Sequence, residues 1–173
     1  MLPVHNLRVY LSVHWLDADT IIQASNWYYA FDIAPTFWEF IEEQARLGVI
    51  SCPQEVFREV GRNGNEYVQK WIKAQRSTSL FCRQDKSVQG QYAKVVQRVY
   101  QNQQYTSENK DIFFFGADPW LVAHAWTYGG KVISRERRQP DAKKPKVPDV
   151  CAQFGVEIST PWAMLRSLGF RFK

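Results

Sequence analysis

Asp17 and Asp19 close the apolar run Val13-His-Trp-Leu16, and a Thr and two isoleucines follow them. An apolar strand that ends in acids and passes into a helix puts those acids at the carboxyl edge of a sheet. Open α/β sheets hold their ligands at that edge. Two residues apart in extended geometry, Asp17 and Asp19 point to the same side. Like charges so close raise each other's pKa unless a cation or hydrogen-bond donors offset the repulsion. The plain alternative is a solvated strand end, with Asp19 capping the next helix.

Four more acids stand at predicted element boundaries: Glu59, Asp118, Glu136 and Asp149. Each has an ordinary structural use. Asp118 and Asp149 suit helix N-termini, Glu59 a helix surface, and Glu136 a solvated loop. The set carries more than its members. Three of the five acids Asp17, Glu59, Asp118, Glu136 and Asp149 fall just after a strand or at the start of the next helix, where a parallel sheet brings them to one edge. Beside them runs a basic stretch, Arg135, Arg137, Arg138, Lys143, Lys144 and Lys146. The formal net charge of +5 and pI near 9.2 favour a polyanionic partner.

The elements that must position these residues alternate along the chain. Val9–Leu16 reads as a buried first strand, and Ala24–Asp32 as loop or irregular helix. Pro35 opens a helix through Arg46, and Gly48 ends it. A strand at 48–52 precedes a helix from Pro53 to about Arg62, then the turn Asn63-Gly-Asn65 and a helix over Glu66–Ala74. Val88–Tyr100 has helical period, through Tyr92, Val95, Val96 and Val99. Asn102–Asp111 reads as a polar linker. Asp118-Pro119 signals a helix start, and that helix runs to about Tyr128. Strands over Lys131–Ser134 and Val156–Ser159 are separated by the basic loop and a short helix from Pro148, and Pro161–Ser167 is a last helix. Such alternation predicts an α/β fold: a mainly parallel central sheet of about four to five strands with helices on both faces.

The chain's 173 residues suit a single domain, and its hydrophobic fraction of 45% supports a packed core. No apolar run has the length of a bilayer span, and MLPVHNLRVY lacks a secretory pattern. Cys52, Cys82 and Cys151 are odd in number and widely spaced, which suits thiols in a reducing compartment, with no disulfide frame or zinc site. His5, His14 and His124 have no metal-ligand spacing. The expectation is a cytoplasmic protein without a membrane segment.

The segments LDADTIIQASNWYY, SCPQEVFREV, ADPWLVAHA, KVISRE and KVPDVC resemble, in that order, the motifs of PIN-domain ribonucleases. The Asn26–Tyr29 segment and the Ala-Asp-Pro-Trp helix start are most similar to the PIN-like group of bacterial toxin-type proteins. The resemblance implies a PIN-like fold and metal-dependent cleavage of RNA. It assigns catalytic roles to Asp17, Glu59, Asp118 and Glu136, with Mg²⁺ or Mn²⁺ held by Asp17, Asp118 and either Glu136 or Asp149 as the fourth acid. Asp19 falls where the family usually has Asn. RNA is the implied substrate, and an antitoxin protein and a second copy of the chain are the implied partners.

Phosphodiester hydrolysis needs a nucleophilic water brought to an anion and stabilisation of the added charge, which carboxylate-bound Mg²⁺ or Mn²⁺ supplies. Arg135, Arg137, Lys143, Lys144 and Lys146 are then candidates for the phosphate backbone. Asn26 and Tyr28 are candidates for the bases, by hydrogen bonding and stacking, while Trp27 and Tyr29 read as core. Two rivals stand beside this reading. One is an inactive PIN-like module that binds RNA or a partner. The other, prompted by Asp-x-Asp after a strand, is a haloacid-dehalogenase-type phosphatase, which lacks here the usual Gly-Thr continuation and a downstream acid pair.

Overall fold

A computed structural model describes residues 12–172. The start of the predicted first strand, Val9 to Leu11, and His5 lie outside the described residues. The strand itself, β1, spans His14–Leu16. Trp15 and Leu16 point to opposite faces, as the two-residue period of a strand requires, and each seeds a separate core.

Leu16 packs with helices α1 (Ala18–Gln23), α2 (Pro35–Arg46), α3 (Gln54–Asn63) and α4 (Glu66–Ala74). On the other face Trp15 packs with α5 (Lys86–Gln101), α6 (Ser107–Phe115), α7 (Asp118–Tyr128) and α8 (Val147–Gln153). Between the layers lie β2 (Ile50–Pro53), β3 (Phe81–Cys82), β4 (Lys131–Ile133) and β5 (Glu157–Ser159), and α9 (Pro161–Ser167) follows the last strand. The strand order is β3-β2-β1-β4-β5, and every pairing is parallel. The α/β class, the parallel sheet and the helices on both faces are as the alternation of elements predicts. Leu16, Ile50, Ile133 and Leu121 are essentially inaccessible, and burying each such side chain contributes about 1.5–3 kcal/mol.

Chain order reverses between β1 and β4, so these two neighbours form the switch point of the sheet. Their pairing is tight at its base. Lys131 donates its N–H to the Val13 carbonyl at 2.8 Å, and the Trp15 indole donates to the Gly129 carbonyl at 2.9 Å. Gly130 has φ +99°, and a Cβ there would overlap the Val13 carbonyl, so this turn requires glycine.

One segment differs from expectation, and another takes one of its two expected forms. The predicted linker over Asn102–Asp111 holds the start of α6: Thr106 caps it by accepting the Asn109 N–H, and polar Ser107–Asp111 forms its exposed first turns. Segment Ala24–Asp32, read as loop or irregular helix, begins as the latter: Ala24–Tyr28 is a π-helical turn continuing α1, closed by Tyr29 N–H to the Ala24 carbonyl at 2.7 Å. Such wide turns re-aim side chains and recur at functional sites. Tyr29 stacks on Phe37 at 4.1 Å, as a core residue does, whereas Trp27, also expected in the core, is 78% exposed.

Candidate functional site

The register of β1 and β4 pairs Leu16 with Ile133, so the next residues, Asp17 and Ser134, meet at the carboxyl edge of the sheet. Asp17 donates its N–H to the Ile133 carbonyl at 3.2 Å and turns at once into α1, which it caps by accepting the Thr20 N–H at 2.6 Å. Thr20 Oγ1 in turn donates to the Ile133 carbonyl at 3.3 Å. The Ser134 hydroxyl accepts the Glu136 N–H at 3.1 Å and faces the Asp17 carboxylate, whose pKa it lowers as a donor. Burial pushes the Asp17 carboxyl up to about 6; the Ser134 and Thr20 hydrogen bonds pull it down, and the Asp19 charge adds a small upward push.

Asp19 does not share the pocket. The chain is already helical at Ala18, so Asp19 rotates outward to an exposed position, where it accepts from Gln23 at 3.0 Å and pairs with Arg135 at 3.2 Å. The extended geometry predicted for this pair ends at Asp17, and Asp17, not Asp19, is the cap.

Asp118 is the first residue of α7 and not its cap, a position taken by Ala117 without a side-chain bond. Its carboxyl is held well above the usual range, first by burial and then by the charges of Glu59, Asp17 and Glu136, with Lys146 opposing. Three carboxylates on three other segments therefore lie within electrostatic reach of Asp118. Glu59, half-buried on α3, accepts the Ala117 N–H at 2.9 Å and ties α3 to the start of α7.

Both candidates for the fourth acid are engaged. Glu136 takes the Lys146 ammonium at 2.7 Å on one oxygen and the Val147 N–H at 3.0 Å on the other. Asp149, buried on α8, takes Arg138 Nε at 3.2 Å and the Gln139 N–H at 2.8 Å. The two acids thus clamp the basic loop at its base. Lys146, expected to face phosphate, is turned inward against Glu136 with its side chain only 14% exposed. Lys143, Lys144 and Arg137 remain exposed.

The base-binding candidates divide. Tyr28 lies at the rim: its ring is 5.3 Å from the Arg135 guanidinium, its hydroxyl accepts from Arg135 at 3.3 Å, and Trp162 meets it edge-on at 5.6 Å. Asn26 faces away toward α4 and accepts from Asn65 at 2.8 Å. Reading the sequence alone passes over Ser134 and Thr20. Their signal is positional: a hydroxyl directly after the apolar strand 131–133, and another three residues beyond a strand-end Asp.

Among the described residues, no three His, Cys, Asp or Glu side chains close around one point tightly enough to enclose a metal ion. The donor chemistry nevertheless suits one. Anionic oxygens are the ligands hard divalent cations take, and Asp17 and Asp118 are carboxylates whose charged forms are only partly compensated. Closure around a cation requires these side chains to draw inward.

Residues 14–172 match the family described as a domain of unknown function, DUF4411. The chain belongs to the DUF4411 family. No curated protein matches it. Among solved structures, the DUF4411 chain is similar to the crystal structure of VapBC2 from Rickettsia felis bound to a DNA fragment from their promoter. There the identity is 12% and the TM-score 0.51, over 86% of this chain and 98% of that one. It is likewise similar to the crystal structure of FitAcB from Neisseria gonorrhoeae, at 12% identity and a TM-score of 0.50, over 87% and 99%. At such identity the likeness is one of fold, and that fold is the PIN-like α/β sandwich expected from the sequence. Among the described residues, no helix is long and apolar enough to cross a membrane.

Proposed function

We propose that this chain is a Mg²⁺- or Mn²⁺-dependent endoribonuclease, the toxin of a toxin–antitoxin pair. One observation carries the nuclease reading: the charges of Asp17, Glu59 and Glu136 all reach Asp118 at the switch point of the sheet. A fold has no structural need to place four acids there, and their repulsion makes the site a sink for a hard cation. Asp17 and Asp118, with Glu59 beside them, are the residues that hold it. Bound there, the cation lowers the pKa of water and neutralises phosphate oxygens.

The chain's own groups do the rest. Ser134 and Thr20 fix the Asp17 carboxylate, and Glu59 fixes the start of α7. Arg135, held over Tyr28 at the rim, and the exposed Lys143 and Lys144 face the phosphate backbone of RNA. The antitoxin partner draws on the likeness to VapBC2 and FitAcB. Trp27, Ile33, Tyr67 and Phe115, 78%, 81%, 63% and 79% exposed, are apolar side chains that such a partner would cover.

The test is cleavage of single-stranded RNA by the purified chain with Mn²⁺ or Mg²⁺, with EDTA and Asp118→Asn as controls. Metal-dependent cleavage lost in both controls supports the reading. A second reading, an inactive RNA- or partner-binding module, is favoured by the engagement of Glu136 and Asp149 and by the open spacing of the acids. RNA binding without cleavage at any metal concentration decides for it.

A further inference from the structure

The basic loop leaves β4 at Ser134 and returns at α8, and Lys146 is its last residue. The sequence groups Lys146 with Lys143 and Lys144 as one run of cations. The fold separates them. Lys143 and Lys144 are exposed, while the Lys146 side chain is 14% exposed and its ammonium lies 2.7 Å from Glu136 Oε1. The Val147 N–H occupies the other oxygen of Glu136 at 3.0 Å. The Glu136 N–H bonds to Ser134, whose hydroxyl holds Asp17. The ammonium is thus three polar links from Asp17, through Glu136 and Ser134, and its charge reaches Asp118.

We propose that Lys146 is a resident cation of this site: it takes the place of a second divalent ion on Glu136, so the chain binds one divalent cation, on the Asp17–Asp118 side. This rests on the metal-dependent reading above and adds the number of ions and the role of Lys146. Asp118 and the three carboxylates whose charges reach it offer enough anionic oxygens for two hard cations once they draw inward. A monovalent ammonium fixed on Glu136 neutralises one of them and repels a second divalent ion brought close to it. A tethered cation also has a use that a diffusible one lacks. It is present before metal arrives, and it offsets part of the repulsion that the metal-free site must bear.

The experiment counts Mn²⁺ ions on the full chain by electron paramagnetic resonance of unbound Mn²⁺, with calorimetry at the same pH. The parent takes one Mn²⁺ per chain. Lys146→Met frees Glu136 and takes two, with the spin–spin broadening of neighbouring Mn²⁺ ions. The double variant Lys146→Met with Glu136→Gln returns to one. Thermal melting checks that each variant folds; should Lys146→Met fail, Lys146→Gln keeps a donor toward Glu136 and gives the same count. Two Mn²⁺ ions in the parent, or one in the folded neutral variants, overturn the proposal. A parent that cuts RNA but binds two ions defeats only this inference. A parent that neither binds Mn²⁺ nor cuts RNA defeats the metal-dependent reading and this inference with it.

Discussion

The Ser134 hydroxyl faces the Asp17 carboxylate across the switch point and draws its pKa down as a donor, because Ile133 and Leu16, the residues before them, are partners in the β1–β4 register. The contact links the ends of two strands 117 residues apart in the chain, and it holds in place the most buried acid of the site. Ser134 is therefore a positioning residue for Asp17. Replacing it with Ala removes a hydrogen bond to a buried carboxylate, which costs about 1 kcal/mol of stability. Because that bond lowers the Asp17 pKa, its loss raises it. Outer-shell losses of this kind lower metal affinity or activity about 10–100-fold. Urea unfolding reads the first effect. A pH–rate profile of RNA cleavage reads the second as an acid limb moved to higher pH. An unmoved limb makes Ser134 a packing residue only.

The pull of burial on Asp17 makes the metal-free protein sensitive to pH. Its carboxyl stands near 6 in the fold against 3.8 ordinarily, so the folded state holds the proton more tightly than the unfolded chain. Stability from this group is complete below about pH 4 and is lost as pH rises through 6, a change of about 3 kcal/mol. Buried His124, with its pKa lowered, works in the opposite direction over part of that range. The informative quantity is thus the difference between the parent and Asp17→Asn. In EDTA, the parent loses stability from pH 4.5 to pH 7.5 relative to the variant; equal pH dependence sinks the assignment of Asp17 as a desolvated acid.

Asp118→Asn separates catalysis from structure. The side chain caps nothing, so no helix-start bond is lost, and like charge with Glu59, Asp17 and Glu136 is relieved. The variant melts at the same or a higher temperature than the parent at pH 8 without metal. Cleavage falls by more than about 100-fold, beyond what an outer-shell change brings. A variant that melts several degrees lower gives Asp118 a structural role in place of a catalytic one.

Much of this arrangement is legible before folding, and the reasons divide by distance along the chain. Helices Pro35–Arg46, Glu66–Ala74 and Pro161–Ser167 lie where Pro at the first turn, the Asn65 cap and Gly48 place them. Asp17 and Asp118 stand at the end of β1 and the start of α7, boundaries that the sequence marks, whereas Glu59 lies mid-helix on α3 and meets the start of α7 only through the fold. Strand β3 is two residues long and too short to show a period, and α6 hides because its first turns are polar. The side-chain assignments that failed are long-range or depend on one residue of helix boundary. Asp19 turns outward because the helix begins at Ala18, one residue before it. Lys146 turns inward because Glu136, ten residues earlier, is brought back beside it by the loop.

On the proposed reading, that inward turn changes which cations of the basic loop would meet RNA. Its backbone is pinned: the Lys143 carbonyl accepts from Thr106 N–H at 3.1 Å and from Asn109 Nδ2 at 3.1 Å, and Gln104 reaches the Ala142 carbonyl at 2.7 Å. The side chains of Lys143 and Lys144 are left exposed on a fixed loop. Contacts from such side chains go to phosphate and carry no direct sequence information. Each contact to single-stranded RNA steepens the fall of log K with log salt by about 0.7. Replacing Lys143 and Lys144 with Ala therefore flattens the salt slope by about 1.4 and weakens binding alike for unrelated RNA sequences. Lys146→Ala leaves that slope nearly unchanged, since its charge is already matched by Glu136. The measurement is a salt titration of RNA binding in Ca²⁺, used to occupy the metal site without turnover. A slope unmoved by the double variant makes the loop a solvated charge run. A slope that drops with Lys146→Ala as much as with Lys143→Ala shows the Lys146–Glu136 pair opening to RNA.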